Sequence, residues 1–243
     1  MLLSVSCSSH YSLTSVDRSR IVIDKTYDQQ PEPQVSAILD VYKLKVDSIM
    51  SPVVGTVAHD MAARLPESDL SNLLADILIW ASSAYNEKPV FAVYNMGGIR
   101  AALTKGEVTY GDVLAVAPFE NKIAFTTLTG EKLMTLFTQI AAKGGEGVSR
   151  GTELVISRDG KLISARLHGK QIDPKAEYRV ATIDYIIQGN DGLTVFKEGT
   201  NTVSPQEESN NARVIIVDYF KEKTAKGETV SSKVEGRIRV VEG

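Results

Sequence analysis

The chain has 243 residues, 43% of them hydrophobic and 23% charged, with a net charge of −3 and a sequence pI near 5.7. That is the balance of a soluble globular chain with enough apolar material for a substantial core, in one large domain or one ordinary domain with appended segments. An acidic balance gives no global electrostatic attraction to nucleic acid or to an anionic membrane, and no apolar run approaches the length of a bilayer span.

The N-terminal run Met1-Leu2-Leu3-Ser4-Val5-Ser6-Cys7 has small residues ahead of the chain's one cysteine, like the end of a bacterial lipoprotein signal. A complete signal would add a basic region and a longer apolar stretch upstream. On that reading Cys7 carries the lipid and residues 8–14 form a polar tether. The alternative is an unmodified thiol in an unstructured tail. One cysteine excludes an internal disulfide.

Residues 20–24 are the one strand candidate of the first segment, and Pro31 and Pro33 make residues 28–33 a linker by composition. From 34 to 50, Val35, Ile38, Leu39, Tyr42, Val46 and Ile49 recur near helical spacing, and Ser51-Pro52 ends the pattern. A strand is predicted over 53–57. A strongly apolar helix follows over 70–85, with Ser68 as its N-cap because the hydroxyl can accept a first-turn N–H. Residues 90–94 read as a short buried strand running into Asn95-Met96-Gly97-Gly98-Ile99-Arg100. A strand over 122–128 and a helix over 130–142 form a second unit. Three strands (153–157, 162–167, 178–183) are separated by the turn formers Asp159-Gly160 and Asp173-Pro174. A helix over 212–224 and a strand over 237–241 close the chain. Strands and helices alternate without a βαβ rhythm, so the expected class is α+β, with a tail and linker over 1–33 and one domain over 34–243.

Three segments could carry chemistry. Gly97 and Gly98 let backbone N–H groups approach a ligand, and Arg100 can meet a phosphate with paired charge-assisted bonds. A tight turn with a surface arginine explains the same residues. In Pro118-Phe119-Glu120-Asn121, an aromatic ring next to an amide suits a base-stacking platform, although a core phenylalanine is the commoner fate. Tyr185 precedes Gly189-Asn190-Asp191-Gly192, where a carboxylate between glycines could accept from a sugar diol or could sit in an ordinary turn.

Taken in order, residues 67–73 (Glu-Ser-Asp-Leu-Ser-Asn-Leu), Asn95 to Arg100, Gly111-Asp112-Val113 through Asn121, and Asn190-Asp191-Gly192 resemble the C-terminal domain of the 5′-nucleotidase and UDP-sugar hydrolase family. Residues 234–238 resemble that family's closing strand, and the resemblance spans roughly 34–241. It implies the family's mixed sheets with packed helices and a nucleotide held by this domain. Phe119 and Tyr185 would sandwich the base, Asp191 would bind the ribose, the Asn…Gly-Gly-Ile-Arg segment would supply Asn95 and the phosphate-side arginine, Arg100, and Asn121 would lie near the base. Two departures bear on phosphate affinity: Pro66 stands where some members have an arginine, with Arg64 two residues upstream, and Ser71 replaces the usual glycine.

The family's hydrolytic chemistry uses two divalent metals held by an N-terminal metallophosphoesterase domain through Asp-x-His, Gly-Asn-His and His-x-His elements. His10, His59 and His168 stand in none of those patterns. The resemblance therefore implies a nucleotide-recognition domain with no catalytic residue, metal or cofactor of its own. A separate metallophosphoesterase chain would supply the divalent metals, and the location would be the bacterial cell envelope, periplasmic or held by a lipid. The alternatives are a nucleotide-binding lipoprotein without a hydrolytic role and a domain whose pocket has decayed.

Overall fold

A computed structural model describes residues 11–26, 29 and 32–242, and the Cys7 reading lies outside them. The chain divides into two units, Met1–Lys45 and Val46–Gly243. In the first, residues 20–24 are not a strand: they carry no regular structure. Three apolar β-branched residues, Ile21, Val22 and Ile23, supply local propensity, but among the described residues no partner strand takes their backbone groups. Helix α1 (Pro33–Met50) straddles the boundary. Proline suits its first position because the N–H it lacks would have no intrahelical acceptor. None of its residues is buried, so the apolar spacing gives α1 a hydrophobic face but no core position.

The second unit opens with β1 (Val53–Val57), which pairs antiparallel with β3 (Gly106–Thr109). Between them α2 (Asp69–Ala81) begins at Ser68 in a capping box, Ser68 and Ser71 each accepting the other's backbone N–H. That gives Ser71 a local task which the glycine it replaces could not perform. Helix α2 buries Leu70, Leu73, Leu74, Ile77 and Leu78, and packs on β2 (Phe91–Tyr94).

The central sheet has five strands in the order β10-β4-β9-β2-β5, formed by Thr200–Val203, Ile123–Thr129, Glu177–Ile183, β2 and Gly147–Val148. Strands β9 and β2 run parallel, and the other pairs are antiparallel. All four residues of β2 are buried, the near-continuous apolar run of a strand covered on both faces. Two fully buried hydroxyls within the sheet are satisfied: Thr182 donates to the Val93 carbonyl at 2.8 Å, and Thr126 lies 2.8 Å from the Thr202 hydroxyl.

Helix α4 (Gly130–Ala142) packs on β4 and β9, its Phe137 ring meeting Phe91 edge-on at 5.3 Å. It also packs on β6 (Thr152–Ser157) and β7 (Leu162–Leu167) of a second sheet, ordered β11-β6-β7-β8. There β8 is Lys170–Gln171, and β11 (Ile238–Val241) runs parallel to β6. Helix α3 (Tyr110–Val116), the single turn α5 (Asp184–Ile187) and α6 (Ala212–Ala225) complete the elements used below. The α+β expectation holds, with mixed sheets and helices packed on them. Among the described residues no helix is long and apolar enough to cross a membrane.

Candidate functional site at one edge of the central sheet

Strand directions bring the candidate segments together. Strands β2 and β9 are parallel, so both chains leave the sheet at the same edge, β2 into Asn95 and β9 into Asp184-Tyr185. Strand β4 is antiparallel to β9, with Ile123 opposite Ile183, so the chain enters β4 at that edge from Phe119 and Asn121. Strand β5 is antiparallel to β2, with Gly147 opposite Tyr94, and it too starts there, directly after Glu146. The ends of parallel strands are the usual place for a ligand crevice in such sheets.

The cleft at this edge has a volume of about 380 Å³ and is lined by Asn95, Gly97, Gly98, Arg100, Phe119, Asn121, Tyr185 and Asp191. All eight residues singled out in the sequence thus surround one cavity, within the size range of small-molecule sites. A more open depression of about 520 Å³ lined by Trp80, Tyr85, Asp218 and Glu222 contains none of them.

One side of the cleft is held by hydrogen bonds. Asn95 Nδ2 donates to Asp191 Oδ2 at 2.6 Å, and the Tyr185 hydroxyl donates to Asp191 Oδ1 at 3.1 Å. The carboxylate fixes the Asn95 amide orientation, since only the N–H end can donate to it. The Tyr185 phenol is held above its usual pKa because Asp191 accepts its proton and repels the phenolate. Asp191 sits at φ 53°, in the left-handed region that Asp tolerates better than most residues. Asn95 is 4% exposed, and its Oδ1 accepts no hydrogen bond from any described residue. Gly98 is required: a Cβ there would lie 2.7 Å from Asn95 Oδ1.

The other side is looser. Phe119 is 46% exposed and Tyr185 38%, so each presents much of its ring to the open cleft. Arg100 is exposed and makes a 3.3 Å bond from Nη1 to the Gly97 carbonyl, leaving other guanidinium donors facing outward.

The sequence reading did not single out two residues that contact the wall of this cleft, Lys143 and Glu146. Lys143 Nζ lies 2.7 Å from the Asp191 carbonyl and 2.7 Å from Glu146 Oε1, and Glu146 Oε2 accepts the Met96 N–H. The Glu146 side chain is fully buried. Burial pushes its carboxyl pKa up; the Lys143 ammonium and the Met96 N–H offset this in part, and Asp191 adds to it. The available signal was the run Lys143-Gly144-Gly145-Glu146-Gly147, a charge of each sign among three glycines at a helix end.

Arg64 does not reach the cleft: it is exposed and lines a separate depression with Asp60, Glu67 and Ser68. His59 pairs with Asp69 at 3.7 Å, a His168 ring nitrogen lies 3.0 Å from the Val90 carbonyl, and no group of three or more His, Cys, Asp or Glu among the described residues could hold a metal ion.

Fold and cleft together define an α+β domain with a cleft of small-molecule size at the ends of its central strands. Residues 53–198 match the family model for the 5′-nucleotidase C-terminal domain. The trifunctional nucleotide phosphoesterase protein YfkN of Bacillus subtilis is 32% identical over 246 residues, covering 92% of this chain and 16% of that protein. Protein UshA of Escherichia coli is 32% identical over 105 residues, 42% of this chain and 19% of its own length. A crystal structure of a 5′-nucleotidase precursor from Thermus thermophilus superposes with a TM-score of 0.75 at 26% identity, covering 89% of this chain and 45% of that one. The chain belongs to the 5′-nucleotidase family and contains its C-terminal domain. It spans less than a fifth of the length of these two curated relatives.

Proposed function

We propose that the chain recognises a nucleotide for phosphoric-ester hydrolysis carried out by a metallophosphoesterase, in nucleotide catabolism. Phe119 and Tyr185 stack the base, Asn121 meets its edge, Asp191 and Asn95 bind the ribose side, and Gly97, Gly98 and Arg100 serve the phosphate side. The observation that carries this reading is the convergence of all eight residues on one cleft at the sheet edge. Asp191 supports it further, since two neighbours orient its carboxylate before any ligand arrives. Orienting a substrate is a large part of catalysing its hydrolysis, so a domain that only binds can still contribute to rate.

The divalent metals and the attack on phosphorus belong to a partner metallophosphoesterase chain in this proposal, which places both in the bacterial cell envelope, this chain held there by a lipid on Cys7. The test is calorimetry with AMP and adenosine, followed by phosphate release from AMP with Mn²⁺, with and without a metallophosphoesterase partner. Binding by this chain and turnover in the mixture alone are the expected results. Binding with no turnover in either sample would make it a nucleotide-binding protein without a hydrolytic role. Absence of binding would overturn the proposal.

A further inference from the structure

Glu146 is a carboxylate with no exposed surface, set between three glycines at the start of a two-residue strand. A buried ion pair seldom recovers the whole cost of leaving water, and an apolar pair of the same shape is often at least as stable. A need for stability therefore explains this pair poorly, and its connections suggest a different use.

The Lys143 ammonium touches the Asp191 carbonyl and the Glu146 carboxylate, each at 2.7 Å. The other Glu146 oxygen takes the Met96 N–H, and Asn95 beside it donates to the Asp191 side chain at 2.6 Å. These bonds close a ring: the loop after β2, the turn between α4 and β5, and the loop after α5 are tied in one circuit. The three contacts between segments span 50, 48 and 96 residues of sequence, so no local turn rule sets their spacing. The turn itself cannot shift freely, because Gly145 stands at φ 129° with Pro66 O only 2.2 Å from where a Cβ would lie.

We propose that Lys143 and Glu146 are positioning residues, an ionic bridge buried at its Glu146 end that sets the distance between the Asn95–Gly98 loop and Asp191 and so preforms the ribose end of the cleft. Neither touches the ligand. The inference rests on the nucleotide reading for its consequence, but the bridge itself can be examined in the free protein. Preorganisation of this kind raises affinity by removing an ordering cost at binding.

The test uses the full chain with Glu146→Gln, Lys143→Met and the double variant. Each single variant should bind AMP and adenosine about tenfold more weakly, equal losses marking the sugar end that both ligands share. The double variant should lose no more than either single one, because both cut the same circuit. Melting temperature should change little in Glu146→Gln, since removing a buried charge offsets the lost contacts. In the free protein, the Met96 amide proton should move upfield in both single variants, and the Asp191 and Gly192 amides should move with it. Lys143→Met keeps the test open if Glu146→Gln folds poorly. Unchanged resonances and affinities in both variants would overturn the bridge. So would losses that multiply in the double variant, or that follow lost stability alone. If the unsubstituted chain binds neither AMP nor adenosine, the nucleotide reading fails while the amide resonances still judge the bridge.

Discussion

The two sides of the cleft are built on different principles. On the Asp191 side, Asn95, Tyr185, Lys143 and the Met96 amide are joined by hydrogen bonds and an ion pair, and the polar groups are largely committed before a ligand arrives. On the Phe119 side, an aromatic ring stands 46% exposed and an arginine keeps one long bond to a carbonyl. A sugar diol demands acceptors at fixed positions, because a hydrogen bond weakens steeply with angle. A base needs a flat apolar face and tolerates a sliding ring, and a phosphate accepts an exposed guanidinium through charge. The fixed side therefore suits the invariant part of a nucleotide, and the loose side suits its variable parts.

The hardest blow to this contrast is Asp191→Ala, which removes the ribose acceptor and leaves the Asn95 amide and the Tyr185 hydroxyl without their partner. A loss of about 3 kcal/mol in adenosine binding is expected by calorimetry. A loss below about 1 kcal/mol would mean that the carboxylate serves the turn and not a ligand. Phe119→Ala should cost about 2 kcal/mol, within the range for base stacking, with no change in melting temperature because the ring is half exposed. Ribose 5-phosphate, which has no base, should bind that variant as well as the parent; an equal loss would move Phe119 away from the base.

Arg100→Ala should cost about 1 kcal/mol for AMP and almost nothing for adenosine, and the difference should shrink as salt is added. Equal losses for both ligands would remove it from the phosphate. The smallest change, about 0.5 kcal/mol, is expected for Tyr185→Phe, which keeps the ring and deletes one bond to Asp191. Comparing Tyr185→Phe with Tyr185→Ala separates the residue's two tasks, since the tyrosine alone belongs to both sides of the cleft.

Where a residue's environment is local, the sequence reading and the structure coincide closely. Val53–Val57, Gly130–Ala142 and Leu162–Leu167 form over the predicted spans, and Ser68 caps α2. Short pieces escaped notice: β3, β5, β8 and β10 have two to four residues each, too few to show a period. Residues 20–24 failed in the opposite direction, since apolar β-branched residues form a strand only when another strand takes up their hydrogen bonds. The stripe along α1 was read correctly as helical, and periodicity said nothing about what covers it.

The sequence by itself determined the period of each long element, the turns at Asp159-Gly160 and Asp173-Pro174, and, through its resemblance to the family, the identity of the eight residues that line the cleft. Local sterics and hydrogen bonding within a few residues suffice for the first two, and the order and spacing of motifs for the third. The tertiary structure decided that these residues meet. The order β10-β4-β9-β2-β5 joins strands distant in the chain, and their directions bring four segments to one edge. It also decided that Lys143 and Glu146 meet Asp191 and the Met96 amide, because packing brings these partners within 3 Å and sequence spacing does not encode them.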